Sequence, residues 1–265
     1  MDDPTTLRLV FDPGKDAAVS RQRIELDLGG RTTPADVFRP VDAPGGQPLP
    51  AVLFIPGDAP QSFMDGLLEW GQYRAWGEAV AARGMAAVVA KHDSTDELRR
   101  APEVAAVIRD TLNAVRRDGA SLGIDPGRVA IWTASGGASY GAIAALEADP
   151  PVAALVVYYG VLDFRGWAAQ LATLDAQAAA SVSAAVVAER LAHVPPTLLV
   201  TAGNDNPLLN ATVELFAQAI AGKGDIERLH HRTGQHAFDI LDNDTTSVAI
   251  IARTLDYLVE RLLPG

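Results

Sequence analysis

Three residues of this chain have the types that activate a nucleophile, and each follows an apolar run. Ser135 follows the run at 129–134, and Asp205 and His236 come after two later runs. A serine hydroxyl is a weak nucleophile until a histidine takes its proton, and an acid keeps that imidazole in the required tautomer and orientation. The three residue types, in the order serine, aspartate, histidine, therefore predict attack on a carbonyl carbon through a covalent intermediate.

Small residues surround the serine. The stretch TASGGASYG places Gly136, Gly137, Ala138 and Gly141 directly after Ser135. A nucleophile on a tight strand-to-helix turn has a strained backbone, and small neighbours relieve the crowding around it. The helix that begins there also points its amides at an oxyanion formed on the substrate. The competing interpretation is an ordinary glycine turn before a closely packed helix.

The motif departs from the usual G-x-S-x-G pattern at one position. Gly137 matches the second glycine, but Thr133 stands where the first glycine is expected. Taken alone, such a motif marks a nucleophile only weakly. An aspartate and a histidine in later loops, in the right order, make it much more specific.

The elements that must position these residues alternate along the chain. A hairpin of strands at 23–28 and 35–40 precedes a series of short apolar runs and helical stretches. Strands that alternate with helices predict βαβ units, and hence a mostly parallel central sheet with helices on both faces. The predicted buried strands are 51–55, 85–90, 129–134, 152–159, 197–203 and, less regular, 226–232. Ligands bind at the carboxyl ends of such strands, so the loops with Ser135, Asp205 and His236 are expected to meet there.

The segment 163–194 interrupts this alternation. It is rich in alanine, it carries Leu171 and Leu174 at helical spacing, and it is longer than a simple crossover needs. Two interpretations fit: a long packed pair of helices, or a small helical cap over the carboxyl ends of the strands. In either case we expect one α/β domain over residues 1–265, since a chain of this length can form a single large core.

Composition and charge exclude several classes of function. The 265 residues are 48% hydrophobic, and 22 basic against 33 acidic residues give a net charge of −11. That charge argues against nucleic acid or an anionic membrane as a partner. No apolar run approaches the ~18 residues that span a bilayer. The first residues lack the basic-then-apolar pattern of a signal peptide, so a cytoplasmic location is expected.

No cofactor or metal is expected. The chain has no cysteine, which excludes disulfides, thiolate metal sites and a cysteine nucleophile. No histidines or acids have metal-ligand spacing, and the segment IPGDAP lacks the lysine of a phosphate-binding loop. Residues 91–93 follow a buried strand and are a candidate for the pocket wall. The histidines expected at the surface are His92, His193, His230 and His231.

Four segments carry a resemblance to a known family. They are IDPGRVAIWTASGGASYG around the serine, LPAVLFIPGDAP at 49–60, VTAGNDNP around the aspartate and GQHAFD around the histidine. They resemble the nucleophile turn, the oxyanion strand and loop, the acid loop and the histidine loop of the α/β-hydrolase superfamily. The likeness covers residues 22–262 and is nearest to the serine-dependent, dienelactone-hydrolase-like and esterase branch. Dienelactone hydrolases themselves use a cysteine nucleophile, which this chain lacks.

The resemblance implies an oxyanion hole of backbone amides. The Gly136 amide would supply one donor, and the loop after 51–55 the other. Pro56 replaces the family's histidine in that loop and has no N–H, which leaves the amide of Asp58 or of Ala59. The Asp58 side chain is expected to turn away from the oxyanion.

The resemblance also implies roles and leaves alternatives. Ser135 would be the nucleophile, His236 the general base and then acid, and Asp205 the acid that orients the imidazole. Asp163 competes for the last role, because some α/β-hydrolases carry the acid one strand earlier. The expected substrate is a small-molecule ester or lactone, cleaved through an acyl-enzyme. A peptidase or acyltransferase could use the same triad, a non-catalytic member would be a small-ligand binder, and a homo-oligomer is left open.

Overall fold

One sheet organises the chain, which a computed structural model describes over residues 3–12, 18–42, 47–167 and 173–263. Its strands are β1 Val19–Asp27, β2 Thr32–Pro40, β3 Leu49–Ile55, β4 Ala86–Ala90, β5 Ile124–Ala134, β6 Leu155–Tyr158, β7 Thr197–Ala202 and β8 Ile226–His231. Over the described ranges they form an eight-stranded sheet in the order β1-β2-β4-β3-β5-β6-β7-β8. The pairs β1–β2 and β2–β4 are antiparallel, and all neighbours from β4 to β8 are parallel. The predicted mostly parallel sheet is confirmed.

Helices cover both faces of this sheet, as predicted. They are α1 Gln61–Met64, α2 Gly71–Ala82, α3 Ala101–Arg117, α4 Ala138–Leu146, α5 Ala176–Ser181, α6 Ala184–Glu189, α7 Pro207–Ile220, α8 Phe238–Leu241 and α9 Thr245–Leu262. Buried residues of α3, α4, α6 and α7 share one core, and those of α2 and α9 share the other. Within the described ranges, no helix combines the length and the apolarity that crossing a membrane requires.

Strand β3 illustrates why the buried strands consist of apolar residues throughout, instead of alternating apolar and polar residues. Leu53 and Ile55 belong to the core on one face, and Val52 and Phe54 belong to the core on the other. None of the four is more than 1% exposed. Burying each such side chain contributes roughly 1.5–3 kcal/mol. A strand covered on both faces therefore has no position at which a polar side chain reaches water.

The described part of segment 163–194 lies in the helix layer beside α4. After the undescribed residues it forms the short helices α5 and α6. Ser139 of α4 holds it, because its hydroxyl donates to the Val182 carbonyl and accepts from the Ala184 amide, each at 2.7 Å. Leu171, a predicted apolar position of this segment, lies outside the described residues.

The surface prediction was wrong for two of the histidines. His92 is 3% exposed and His231 is 1% exposed. Each has a polar partner inside the protein: His231 Nε2 lies 3.0 Å from the Ser247 hydroxyl, and His92 contacts backbone carbonyls beside the candidate site. Both nitrogens of His92 have carbonyl partners, whereas His231 has partners at Nε2. A buried polar group is tolerated when it is hydrogen-bonded, and the neighbouring sequence does not reveal these partners.

Candidate active site

Ser135, His236 and Asp205 form one chain of hydrogen bonds. Ser135 Oγ lies 2.8 Å from His236 Nε2, and His236 Nδ1 lies 2.8 Å from Asp205 Oδ2. The Asp205 side chain is only 4% exposed, whereas that of His236 is 39% exposed. The carboxylate accepts a hydrogen bond from Nδ1–H, which leaves the Nε2 lone pair facing the serine hydroxyl. The sheet thus brings together the three residues that the sequence singles out.

Ser135 occupies the tight turn between β5 and α4. Its φ of +51° lies in the left-handed region, a conformation that costs a non-glycine residue about 1–3 kcal/mol. Its carbonyl accepts a hydrogen bond from the Val161 amide at 3.0 Å, which ties the turn to the loop after β6. This geometry places the hydroxyl beyond the carboxyl end of β5, where a substrate can reach it.

Two glycines allow the loop after β3 to pack directly against this turn. A Cβ on Gly137 would lie 1.9 Å from the Pro56 carbonyl oxygen, and a Cβ on Gly57 would lie 3.1 Å from Ser135 Cβ. Both distances are below ordinary van der Waals contact. The small residues around the serine therefore serve a close approach between two backbones, and not only the turn itself.

Thr133, the departure from the G-x-S-x-G pattern, is accommodated by a glycine later in the motif. Its side chain is fully buried, and its hydroxyl donates to the Gly137 carbonyl at 3.1 Å. A Cβ on Gly141 would lie 2.6 Å from Thr133 Oγ1. The space that a larger residue would use at 141 is therefore filled by the threonine.

The loops that carry Asp205 and His236 are joined by their backbones. The Gly203 amide donates to the His231 carbonyl, and the Asn204 amide donates to the Gly234 carbonyl, each at 2.8 Å. A Cβ on Gly203 would lie 2.0 Å from the Arg232 carbonyl oxygen, which belongs to the histidine loop. These contacts fix the distance between the carboxylate and the imidazole.

Asp163, the competing acid, is held by a different partner. Its carboxylate accepts hydrogen bonds from the Arg165 side chain and, at 3.0 Å, from the Arg165 amide. Burial favours the neutral acid, but these hydrogen bonds outweigh it and lower the pKa of Asp163. The carboxylate that contacts the imidazole is that of Asp205.

The loop after β3 brings the Asp58 backbone next to Gly136. A Cβ on Gly136 would lie 3.3 Å from the Asp58 nitrogen. The Asp58 carboxylate is bound by Thr95, through its amide at 3.1 Å and through its hydroxyl. The Gly57 amide is already used, because it donates to Tyr73 Oη at 2.8 Å. The amide of Asp58 is thus the first in this loop that lies beside Gly136 and can donate to a bound oxyanion, and the amide of Ala59 is the next.

Two cavities share Ser135, His236 and Asp58 in their walls. Their volumes are about 420 Å³ and about 500 Å³. Apolar residues in the wall of the smaller cavity are Leu98, Val161, Phe164, Trp167 and Leu209. Those in the wall of the larger cavity include Leu7, Phe63, Trp70, Tyr159 and Ile240. Two largely apolar spaces therefore adjoin Ser135.

The wall of the larger cavity includes the chain ahead of β1, which sequence reasoning missed. Leu7 lines the cavity. The Gly71 amide donates to the Pro4 carbonyl at 3.0 Å, and the Val10 amide donates to the Asp239 carbonyl at 2.9 Å. This segment forms neither a strand nor a helix, and no motif in its sequence assigns it to the site.

A buried carboxyl group, also missed from the sequence, supports the histidine loop. Asp239 is fully buried and accepts hydrogen bonds from Gln72 Nε2 and Trp76 Nε1 at 2.9 Å and from Tyr159 Oη at 2.8 Å. The Tyr159 ring in turn packs edge-on against His236, with 4.7 Å between centroids. Burial raises the pKa of Asp239 despite these donors. The sequence feature that links Asp239 to the site is its position three residues after His236.

In the part of the chain that the structure describes, no three histidine or acidic side chains lie together in a way that could hold a metal ion. The contacts of Ser135, His236 and Asp205 are instead with one another. Their arrangement can carry out proton transfer and nucleophilic attack.

The comparisons with known proteins rest on structure alone. No protein-family model matches the sequence, and no curated protein matches it. A thermophilic esterase of Thermogutta terrifontis, with propionate bound, is similar with a TM-score of 0.73 and 21% identity, over 95% of this chain and 97% of that chain. A second structure of the same enzyme, esterase 2 phosphorylated by paraoxon, is similar with a TM-score of 0.71 and 19% identity, over the same shares of the two chains. The esterase rPPE is similar at 0.74 and 18%, over 92% of this chain and 83% of that chain.

These likenesses establish the fold. They extend over almost the whole of each chain, and the parallel sheet with helices on both faces is the common feature. The α/β-hydrolase fold expected from the sequence is confirmed. At about one identical residue in five, the similarity says nothing by itself about substrate or chemistry.

Proposed function

We propose that this chain is a serine hydrolase that cleaves a small carboxylic ester or lactone through an acyl-enzyme intermediate. The observation that carries the proposal is the continuous hydrogen-bond chain from Ser135 through His236 to the buried Asp205 carboxylate. The solved structures with this fold include two esterases, which supports ester hydrolysis. The chain has no cysteine, so the proposed nucleophile is the serine.

In the first half of the reaction, His236 Nε2 takes the proton of Ser135 as the oxygen attacks the ester carbonyl. The Asp205 carboxylate stabilises the imidazolium that forms. The carbonyl oxygen becomes a tetrahedral oxyanion, to which the amides of Gly136 and Asp58 donate; removal of one such donor costs about 10²–10³ in rate in other enzymes. The intermediate then expels the alcohol, which receives the proton from His236.

In the second half, water replaces the alcohol. His236 takes a proton from the water as it attacks the acyl-enzyme, and the same two amides stabilise the second oxyanion. Collapse breaks the bond to Ser135 Oγ and returns the proton from His236 to the serine. The carboxylic acid leaves, and the enzyme is restored with one ester and one water consumed.

The same contacts bear on the other functions that the sequence leaves open: ligand binding, peptidase activity and acyl transfer. A small-ligand binder has no need for a strained serine, φ +51°, hydrogen-bonded to a histidine that a buried acid orients. The complete arrangement therefore favours catalysis over binding alone. Peptidase and acyltransferase activity would use the same residues, and no contact in the site favours either over ester hydrolysis.

The test combines covalent labelling with turnover. We expect a fluorophosphonate probe to modify Ser135, located by mass spectrometry of the peptide, and short chromogenic esters to be hydrolysed. Ser135→Ala should lose both, with an unchanged circular dichroism spectrum, because the substitution removes one oxygen and adds no bulk. Ser139→Ala, a serine of the neighbouring helix, is the control that retains labelling. Hydrolysis by Ser135→Ala at the wild-type rate would reject the proposal.

A further inference from the structure

The peptide bond between Pro56 and Gly57 is held at both of its polar ends by buried side chains. His92 Nε2 lies 3.0 Å from the Pro56 carbonyl oxygen, and the Gly57 amide donates to Tyr73 Oη at 2.8 Å. His92 and Tyr73 are each 3% exposed. A peptide unit fixed at its carbonyl and at its amide cannot rotate without breaking one of the two bonds.

This peptide lies directly behind the nucleophile. The Pro56 carbonyl oxygen occupies the place that a Cβ on Gly137 would need, and a Cβ on Gly57 would lie 3.1 Å from Ser135 Cβ. The next amide along the chain is that of Asp58, which lies beside Gly136. The orientation of the Pro56–Gly57 peptide therefore sets the direction from which the Asp58 N–H enters the site.

Both side chains carry the atoms that these two bonds need. A carbonyl oxygen only accepts, so the Pro56 contact needs a proton on His92 Nε2. The Nδ1 atom of the same ring lies 2.8 Å from the Asp93 carbonyl oxygen, so the ring is held between two backbone carbonyls. Burial raises the pKa of Tyr73, so its hydroxyl stays neutral and accepts from Gly57.

We propose that His92 and Tyr73 are positioning residues for the second oxyanion donor: they fix the Pro56–Gly57 peptide and thereby aim the Asp58 amide at the developing oxyanion. This inference rests on the proposed serine hydrolase function. Neither side chain contacts the reacting atoms; each acts through the peptide it holds. Because the oxyanion forms after binding, loss of either bond lowers kcat and leaves KM nearly unchanged.

The experiment measures kcat per active site, KM and melting temperature for full-length variants with a chromogenic ester. Fluorophosphonate titration counts the active sites, so unfolded protein does not lower the measured kcat. Tyr73→Phe removes only the acceptor for Gly57, and His92→Leu removes the donor to Pro56. We expect kcat to fall about 10- to 100-fold in each, with KM changed less than about twofold. His92→Gln retains an amide N–H near the Nε2 position and should recover most of the loss.

Two further variants separate positioning from general stability. Tyr158→Phe removes another buried tyrosine hydroxyl, bonded to Thr254 Oγ1 at 2.6 Å, and should lower the melting temperature without lowering kcat. The double variant Tyr73→Phe/His92→Leu should lose less than the product of the single losses, because both residues hold the same peptide.

An unchanged kcat per titrated site in Tyr73→Phe and His92→Leu would overturn the positioning role. So would a loss of kcat that Tyr158→Phe shows equally, since the effect would then follow stability alone. Neither outcome touches the proposed function, which fails if Ser135→Ala hydrolyses ester at the wild-type rate, or if wild-type protein turns over ester although the fluorophosphonate probe does not modify Ser135.

Discussion

His236 Nδ1 lies 2.8 Å from Asp205 Oδ2, while the other acid of this region, Asp163, is bound by Arg165. The sequence offers both acids at the ends of neighbouring strands. The two acids differ in their partners, and an imidazole is oriented only by the carboxylate that contacts it. Asp205 is therefore the acid that orients His236 in the proposed mechanism.

The first prediction compares the two acids. Asp205→Asn should lower kcat by about 10⁴, as loss of the orienting carboxylate does in other triads, because the amide favours the wrong imidazole tautomer. Asp163→Asn should lower it less than about tenfold, since that side chain does not touch His236. Steady-state kinetics of both variants on one ester decide the ranking. The reverse ranking would assign the acid to Asp163.

The second prediction concerns pH and stability at Asp239. Burial raises the pKa of Asp239 above its ordinary value of 3.8, so the folded protein holds a proton that the unfolded chain releases. Its contribution to stability is complete below 3.8 and is lost as pH rises through the folded pKa. Asp239→Asn has no such proton, so its unfolding free energy should improve relative to wild type as pH rises from about 4 to about 7.

Asp163→Asn is the matched control for that measurement. The pKa of Asp163 is lowered, so its carboxylate stabilises the fold above 3.8 and loses this effect as pH falls. Relative to wild type, the Asp163→Asn variant should therefore become less stable as pH rises, the opposite sign. Urea unfolding of the three proteins across the pH range gives both slopes. Equal slopes for the two variants would contradict the assignment.

The third prediction tests the approach of the two backbones behind the nucleophile. Gly137→Ala would place a methyl group 1.9 Å from the Pro56 carbonyl oxygen, and overpacking of this kind costs about 1–3 kcal/mol or more. We expect a lower unfolding free energy and a strong loss of kcat, because the Asp58 amide is displaced with the loop. Gly166→Ala, where a Cβ meets nothing within 4 Å, should change neither quantity. Wild-type kcat in Gly137→Ala would show that the loop can move away without consequence.

The fourth prediction assigns the two cavities to the two halves of the substrate. Leu209→Ala enlarges the smaller cavity and Leu7→Ala enlarges the larger one. Each variant should shift kcat/KM towards bulkier esters in one series, either graded in the acyl group or graded in the alcohol, and leave the other series unchanged. A gain of one methylene is worth about 1 kcal/mol in an apolar pocket. If both variants alter the same series, the cavities do not divide the substrate as we expect.

Sequence patterns anticipate the parts of this fold that depend on local periodicity. The run at 51–55 matches the end of β3, and the run at 197–203 matches β7 with one added residue, because strands buried on both faces must be apolar throughout. The loops after such strands meet at one edge, which is why Ser135, Asp205 and His236 could be singled out before their contacts were known. A cytoplasmic location and the oligomeric state stay predictions.

Other features depend on contacts between distant segments, which local sequence does not encode. His92 is assigned to the surface from its residue type, yet a backbone carbonyl 36 positions earlier gives it a buried partner. Asp239 is buried because Gln72 and Trp76, more than 160 positions away, donate to it. The choice of Asp58 as second donor depends likewise on the Gly57 amide being taken by Tyr73.

Thr133 and Gly141 occupy one space between them, since a Cβ at 141 would lie 2.6 Å from the threonine hydroxyl. The usual motif keeps this space free with a glycine two residues before the serine, whereas this chain keeps it free with Gly141, six residues after the serine. In other sequences of this fold we therefore expect the sizes of these two positions to vary inversely: glycine at 133 permits alanine or serine at 141, and threonine at 133 requires glycine. A search pattern that requires glycine two residues before the serine misses chains of this kind. A pattern that scores positions 133 and 141 together would find them.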